Sequence, residues 1–354
     1  MKRSTAEILY RFENLRIPSR SDIIELLKME ETVPLFSAAD RMRRRYVGDQ
    51  VHLRGIIEFS NHCVKNCLYC GLRRGNKALE RYRMTPDEIV EAAREGVRAG
   101  IRTIVLQSGE DAFFSAAILA DIVTRLKELD VAVTLSVGDR PKRDYRILRE
   151  AGADRYLLKH ETAHREMFRR LRPGTTLEGR KKRLLWLKGL GFQVGSGNMI
   201  GLPGQTVGIL ADDILLMREL DVEMAGIGPF IPNDNTPLAG CRGGDVTMTL
   251  KVLAVTRLVL PAVHLPATTA LATIHPEGRQ MALRCGANVV MPDITPVRYK
   301  KLYEIYPNKV CITEDGPGQC IPCISGMIRQ SGRSVATDPG HGRRSWSDGS
   351  QQRG

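Results

Sequence analysis

The chain opens on amphipathic segments, "SRSDIIELLKM" and "PLFSAADRMRRRYVG", in which apolar residues recur at helical spacing through residue 50. From residue 51 the pattern changes. Short β-favouring runs occur at 51–59, 102–108, 131–137, 155–160, 193–200, 223–229, 263–269 and 288–292, with helical periodicity between them. The first intervening helix has a clear start in "TPDE": Thr85 as N-cap, Pro86 in the first turn, Glu88 closing a capping box. Gly100 marks its end. A strand followed by a helix, eight times over, predicts an α/β fold, a complete (β/α)8 TIM barrel with a helical extension before it. Functional groups then belong at the C-terminal ends of the strands and in the loops that follow.

Composition adds a soluble, cytoplasmic expectation. Hydrophobic residues make up 42% of 354, no run approaches the ~20 apolar residues of a membrane span, and "MKRSTAEILYRF" has no signal-peptide pattern. The net charge is +13, but basic residues are scattered among acidic ones and aromatics are only 5%. That describes a solvated basic surface better than a nucleic-acid platform, with an anionic substrate or partner as the other use of the charge.

Six of the eight cysteines fall into two triplets, Cys63/Cys67/Cys70 and Cys311/Cys320/Cys323, while Cys241 and Cys285 stand apart as ordinary thiols. Close triplets in a reducing compartment suggest metal ligands rather than disulfides. Structural zinc and a fully ligated 4Fe–4S cluster each use four protein ligands. Three thiolates leave one iron without one, and an open position is how a metal site stays available to a ligand. A zinc loop completed by His62 or a remote residue is the plainer alternative.

The spacing Cys-x3-Cys-x2-Cys directly after the first strand, with Tyr69 before the last cysteine, resembles the signature of radical S-adenosylmethionine (SAM) enzymes. The resemblance implies a 4Fe–4S cluster on Cys63, Cys67 and Cys70 whose open iron chelates SAM. It also implies SAM contacts from Tyr69, from Gln107, Ser108 and Gly109 at the end of strand two, and from Ile227 in "GIGPFIP". Glu161 suits the ribose hydroxyls and Arg180 the SAM carboxylate.

A narrower resemblance covers most of residues 5–330. "RYVGDQVHLRGIIEFSNHCVKNCLYCGLRRGNKALERYRMTPDEIV", "TIVLQSGED", "AGADRYLLKHETA", "GIGPFIPNDNTPLA" and "LPATTALATI" are similar to the HydE family of FeFe-hydrogenase maturases. That family implies a small organometallic substrate, an iron complex carrying CO, cyanide and cysteine whose sulfur the adenosyl radical attacks. It also implies transient HydG-type and HydF-type partners and a low-potential electron donor. Thr134, Ser136, Arg155, Lys159, Thr268, Thr269, Met291, Tyr303 and Tyr306 stand at matching substrate positions. Lys159 replaces the family's arginine, keeping the charge but losing the bidentate fork.

The second triplet is where such proteins can hold a second cluster, 2Fe–2S or 4Fe–4S. The expected organisation is therefore a helical cap over 1–50 that acts as a lid, a barrel over 51–310, a cysteine segment over 311–330 and a disordered tail over 331–354. The alternatives are a methylornithine-synthase-like or biotin-synthase-like radical enzyme and, in a different class, a non-catalytic iron–sulfur or zinc binding module.

Overall fold

The computed structural model describes residues 3–310 and 317–342, with side chains from Ile321 onward in the last helix. Its strands are β1 (Gln50–Leu53), β2 (Gly55–Ser60), β3 (Thr103–Ser108), β4 (Ala132–Ser136), β5 (Arg155–Leu157), β6 (Gln193–Ser196), β7 (Met199–Ile200), β8 (Met224–Ala225), β9 (Gly228–Pro229), β10 (Pro266–Ala267), β11 (Val289–Val290) and β12 (Ser334–Val335). All pairings between them are parallel. One sheet runs β2-β3-β4-β5-β6-β8 and a second runs β10-β11-β1-β12. Bridges at Ile56–Asp293 and Met224–His264 join the two sheets.

The predicted runs are all present, but several are divided. The first is split at Arg54 into β1 and β2, and 193–200 is split into β6 and β7, with β7 leaving its neighbours to pair with β9. The helix after β2, Pro86–Arg98, carries the expected capping box, with Glu88 N–H donating to Thr85 and the Glu88 carboxylate accepting from Thr85 N–H. Its apolar face, Ile89, Val90 and Ala93, is fully buried against the sheet. At about 1.5–3 kcal/mol for each large apolar side chain buried, such faces hold the helices onto the strands.

The helices Thr5–Glu13, Arg20–Lys28 and Val33–Val47 pack on the flank, against helices Val207–Glu219 and Val246–Val259. Arg20 pairs with Asp212 at 2.6 Å there, and Ile23, Leu26 and Leu27 are fully buried. The lid expectation is therefore corrected: no described residue before Ile56 lines the large cavity.

The disordered-tail expectation is corrected over 331–342. Its Gly, Ser and Arg content hides contacts made mainly by backbone. β12 pairs with β1, and the chain then turns beneath the N-terminal ends of the strands. Arg155 donates to the Pro339 carbonyl at 2.8 Å and the Gly340 carbonyl at 2.9 Å, Thr103 donates to Pro339, and Arg54 donates to Gly340. Residues 343–354 lie outside the described residues.

Gly340 closes this floor with φ +62°, and a Cβ there would meet the His52 ring at 2.6 Å. Gly340→Val is expected to cost about 2 kcal/mol through backbone strain and that clash. A lowered melting temperature with an intact far-UV spectrum is the result that checks it.

Candidate active site

The cysteine loop leaves β2 and is pinned from four sides. Its start is held by Asn61, which donates to the Glu80 and Leu302 carbonyls. Val64 N–H donates to Glu110, Leu68 N–H to Leu171 and Gly71 N–H to Ile305. Arg81 then binds the carbonyls of Asn61, Leu72, Arg73 and Asn76. A loop so fastened presents its side chains in one place. Cys63, Cys67 and Cys70 line a cavity of about 380 Å³ at the C-terminal ends of the strands.

Burial makes the Cys63 thiol harder to ionise. Burial, reinforced by Cys67 and Cys63, pushes the Cys70 thiol well up. A cluster supplies the positive charge that makes such thiolates stable. Among the described residues no three His, Cys, Asp or Glu side chains converge on a single-ion position. A cuboidal cluster binds one thiolate per iron, so ligands spread along a loop suit it better than one zinc ion would.

The neighbouring strand ends complete a second half of the cavity. Gln107, Ser108 and Gly109 at the end of β3 line it, as do Tyr69, Glu161 and Arg180. Gly109 admits no side chain, since a Cβ would meet the His62 carbonyl at 2.2 Å. That leaves backbone facing the cysteine loop, where Glu110 N–H donates to Cys63 Sγ at 3.4 Å.

Glu161 is held in an unusual backbone state, φ +62°, by Glu161 N–H donating to Gly197 and Met199 N–H donating to Glu161. Asp213, fully buried, ties the same two loops together by accepting from Ala163 N–H and from Asn198 Nδ2 at 2.9 Å. Burial pushes the Asp213 carboxyl up to about 7 against those donors. Burial also works against Glu161, yet Lys159, Arg172 and Arg180 hold its carboxyl below the usual range.

Glu161 Oε2, Arg172 Nε and Arg180 Nε are buried without hydrogen bonds, although Lys159 Nζ stands 3.4 Å from the first. Arg180 also pairs with Asp139 at 3.3 Å. A carboxylate oxygen and a guanidinium N–H with hydrogen-bonding capacity left, on two residues lining one cavity, fit a ligand that carries hydroxyls at one end and a carboxylate at the other.

Of the substrate candidates, Ser136, Lys159, Thr268, Thr269, Met291, Tyr303 and Tyr306 line the same cavity. Three expected residues do not. Arg155 is the first residue of β5, so its side chain serves the floor at the opposite end. Thr134 is buried below the lining with no hydrogen bond to its hydroxyl, and Ile227 is packed in the core. Of the second triplet, Cys311 and the Cys320 side chain lie outside the described residues, and Cys323 is exposed.

Two groups went unseen in the sequence. Arg172 donates to the Tyr69 hydroxyl at 2.7 Å and to Glu110 at 3.4 Å, and Lys65 pairs with Glu110 at 3.4 Å, which braces the cysteine loop. Lys309 reaches into the cavity wall between two buried carboxylates, bonded to Glu58 and 3.3 Å from Asp293. Burial pushes the Glu58 carboxyl up to about 8, Lys309 pulls it down, and the two carboxylates keep the Lys309 ammonium charged.

A parallel α/β fold whose strand-end cavity is lined by a Cys-x3-Cys-x2-Cys loop defines a class, and the comparisons agree. Residues 57–217 match the Radical SAM superfamily. The chain is 56% identical over 310 residues to the FeFe hydrogenase maturase subunit HydE of Thermotoga maritima, covering 88% of this chain and 89% of that protein. The chain therefore belongs to the HydE family and is a radical SAM enzyme. It is also 30% identical to the 3-methylornithine synthase of Methanosarcina barkeri, over 77% of this chain and 78% of that one. The crystal structure of methylornithine synthase (PylB) superposes with a TM-score of 0.83 at 27% identity, covering 93% of this chain and 97% of that one.

Proposed function

We propose that the chain matures the FeFe-hydrogenase active site, taking as substrate a cysteine-bound iron complex of CO and cyanide. The observation that carries this is the single cavity shared by the three cysteines, the Glu161/Arg180 pair and the cation and hydroxyls of Lys159, Thr268, Thr269 and Tyr303. The identity to HydE of Thermotoga maritima supports the role in hydrogenase maturation. A 4Fe–4S cluster held by these cysteines would, once reduced, supply the single electron for cleaving the C5′–S bond of SAM to methionine and a 5′-deoxyadenosyl radical.

The residues of this chain divide the remaining work. Cys63, Cys67 and Cys70 would hold the cluster, and three thiolates would leave one iron for SAM. Tyr69, Gln107, Ser108, the Gly109 backbone, Glu161 and Arg180 hold SAM. Ile227, being in the core, supports the adenine side through packing and backbone. Lys159 offers an anionic complex its charge, Ser136, Thr268, Thr269, Tyr303 and Tyr306 offer hydroxyls, and Met291 adds a soft apolar wall. Arg155 and Thr134, which do not line the cavity, are left out of the substrate set.

The bridges at Ile56–Asp293 and Met224–His264 support reading the two sheets as one closed eight-stranded barrel, β1 and β2 forming its first strand. We assign 51–310 to that barrel, 1–50 to a flanking helical unit and 311–330 to a segment able to carry a second cluster. HydG-type and HydF-type maturases are the assigned partners.

The test uses anaerobically reconstituted protein with SAM and a reductant. A synthetic iron–CO–cyanide–cysteine complex is expected to stimulate 5′-deoxyadenosine formation about ten-fold or more over SAM alone. Stimulation by a free amino acid instead would move the reading to a methylornithine-synthase-like mutase. Failure to bind or cleave SAM at all would leave an iron–sulfur binding module.

A further inference from the structure

We propose that the outer surface of the cysteine loop is the docking site for a small acidic protein that delivers single electrons. The inference rests on the radical SAM reading, which requires an electron from outside. It concerns a surface that the cavity chemistry leaves unused.

Between residues 61 and 83 the sequence has six basic side chains, Lys65, Arg73, Arg74, Lys77, Arg81 and Arg83, against one acidic side chain, Glu80. The fold gathers them over the cysteines. Arg74 N–H donates to the Lys65 carbonyl at 2.8 Å, Arg73 N–H donates to Cys70, and Gly75 N–H donates to the Asn66 side chain. Residues 73–76 thus fold back across 65–70. Arg81, through its four carbonyl contacts, works as the staple, whereas Arg74, Lys77 and Arg83 are exposed.

Two apolar side chains stand out of this charged rim. Val64, between the first cysteine and Lys65, is 51% exposed, and Phe113, three residues past Glu110, is 56% exposed with the Arg83 guanidinium over its ring at 4.9 Å. Val64 N–H donates to the Glu110 carbonyl, so the two loops that carry them adjoin. Asp111 and Glu110 pair with Arg83 and Lys65, so Arg74 and Lys77 carry the surplus positive charge beside these apolar spots. Transient electron-transfer partners meet in this way: charge steers the encounter and a small apolar contact seats it.

The position decides the kind of partner. Electron transfer weakens steeply with distance, and this face covers the loop whose thiols would ligate the cluster, with Cys63 and Cys70 only partly buried. A folded acidic carrier seated here loses one electron from its reduced cofactor, and the cluster gains it. RNA would want exposed aromatic platforms, and the loop's own aromatics, Tyr69 and Tyr82, are buried.

The experiment compares Arg74→Glu/Lys77→Glu with a control of equal charge change on the flank, Arg44→Glu/Arg45→Glu, in reconstituted protein. Binding of a purified acidic flavodoxin is titrated at low and high salt. 5′-Deoxyadenosine formation is then driven by reduced flavodoxin and separately by dithionite. The expected result is flavodoxin binding weakened about ten-fold by the first pair and unchanged by the control. The flavodoxin-driven rate falls with it, and the dithionite-driven rate stays level.

Phe113→Ser should weaken binding without flattening its salt dependence. Equal weakening by both pairs, or none by the first, overturns the proposal. So does an RNA oligonucleotide that binds this face and displaces flavodoxin. Absence of dithionite-driven cleavage in the unchanged protein would instead sink the radical reading, while the binding comparison still decides the surface.

Discussion

Replacing Cys63, Cys67 and Cys70 together with alanine is expected to erase the SAM-sensitive signal of a reduced 4Fe–4S cluster and with it all 5′-deoxyadenosine formation. The loss should exceed the ~10–100-fold that follows from removing an outer partner of a metal ligand, because the ligands themselves are gone. Cys67→Ala alone should do nearly as much, since two thiolates cannot hold four irons. The fold should survive: the loop is fastened by Asn61, Arg81 and backbone hydrogen bonds that do not involve sulfur. EPR spectra of the reduced protein with and without SAM, beside a melting curve, separate loss of the cluster from loss of the fold. Cys323→Ala provides the contrast, because any signal it alone removes belongs to the C-terminal triplet. A SAM-responsive signal persisting in the triple variant would show that the cluster lies elsewhere.

Lys309→Met is expected to produce the largest loss of stability of any single change considered. The side chains of Lys309 and Glu58 are 10% and 5% exposed, and Asp293 is close by. Removing the ammonium leaves two carboxyls facing each other in a dry wall, and breaking a buried pair from one side costs about 3–5 kcal/mol. The loss depends on pH. Without Lys309 the folded-state pKa of Glu58 rises further above its unfolded value, so folding takes up a proton. Stability is then fully present below the unfolded pKa and is lost as pH rises through the folded one. Melting temperatures should therefore separate more from the unchanged protein at pH 8 than at pH 5. Adding Glu58→Gln to the Met variant removes one of the opposed acids and should recover much of the loss. A deficit under about 1 kcal/mol, or one that ignores pH, would mean that Lys309 is less deeply engaged.

The same cluster explains what the sequence could and could not convey. Period-two and helical patterns, the Thr85 capping box and the cysteine spacing are local, and each is legible within a dozen residues. Glu58 is 251 positions from Lys309 and comes beside it and Asp293 only when the two sheets meet. Nothing in any one segment announces them. Arg172 escaped for the same reason: it meets Tyr69, 103 positions away, only in the folded chain.

Arg155 illustrates a different limit. The family resemblance puts it at a substrate position, but as the first residue of a three-residue strand it serves the opposite end of the sheet. The tail was misjudged because its work is done by carbonyl oxygens, and composition counts side chains. The N-terminal helices were correctly read as amphipathic. Their partners, helices Val207–Glu219 and Val246–Val259, decided that they flank rather than cover.

The floor also fixes an order of events during synthesis. Arg54 and Arg155 are made early, and both are buried against carbonyls that arrive with Pro339 and Gly340, 185 positions beyond Arg155 in the case of Gly340. Strand β1 likewise waits for β11 and β12. While the ribosome still holds residue 340, two guanidinium groups and a strand edge face open water. At about 5–20 residues per second the nascent chain spends many seconds in that state. Chaperones that shield sheet edges would find their target then, and the finished enzyme would have nothing left for them to hold.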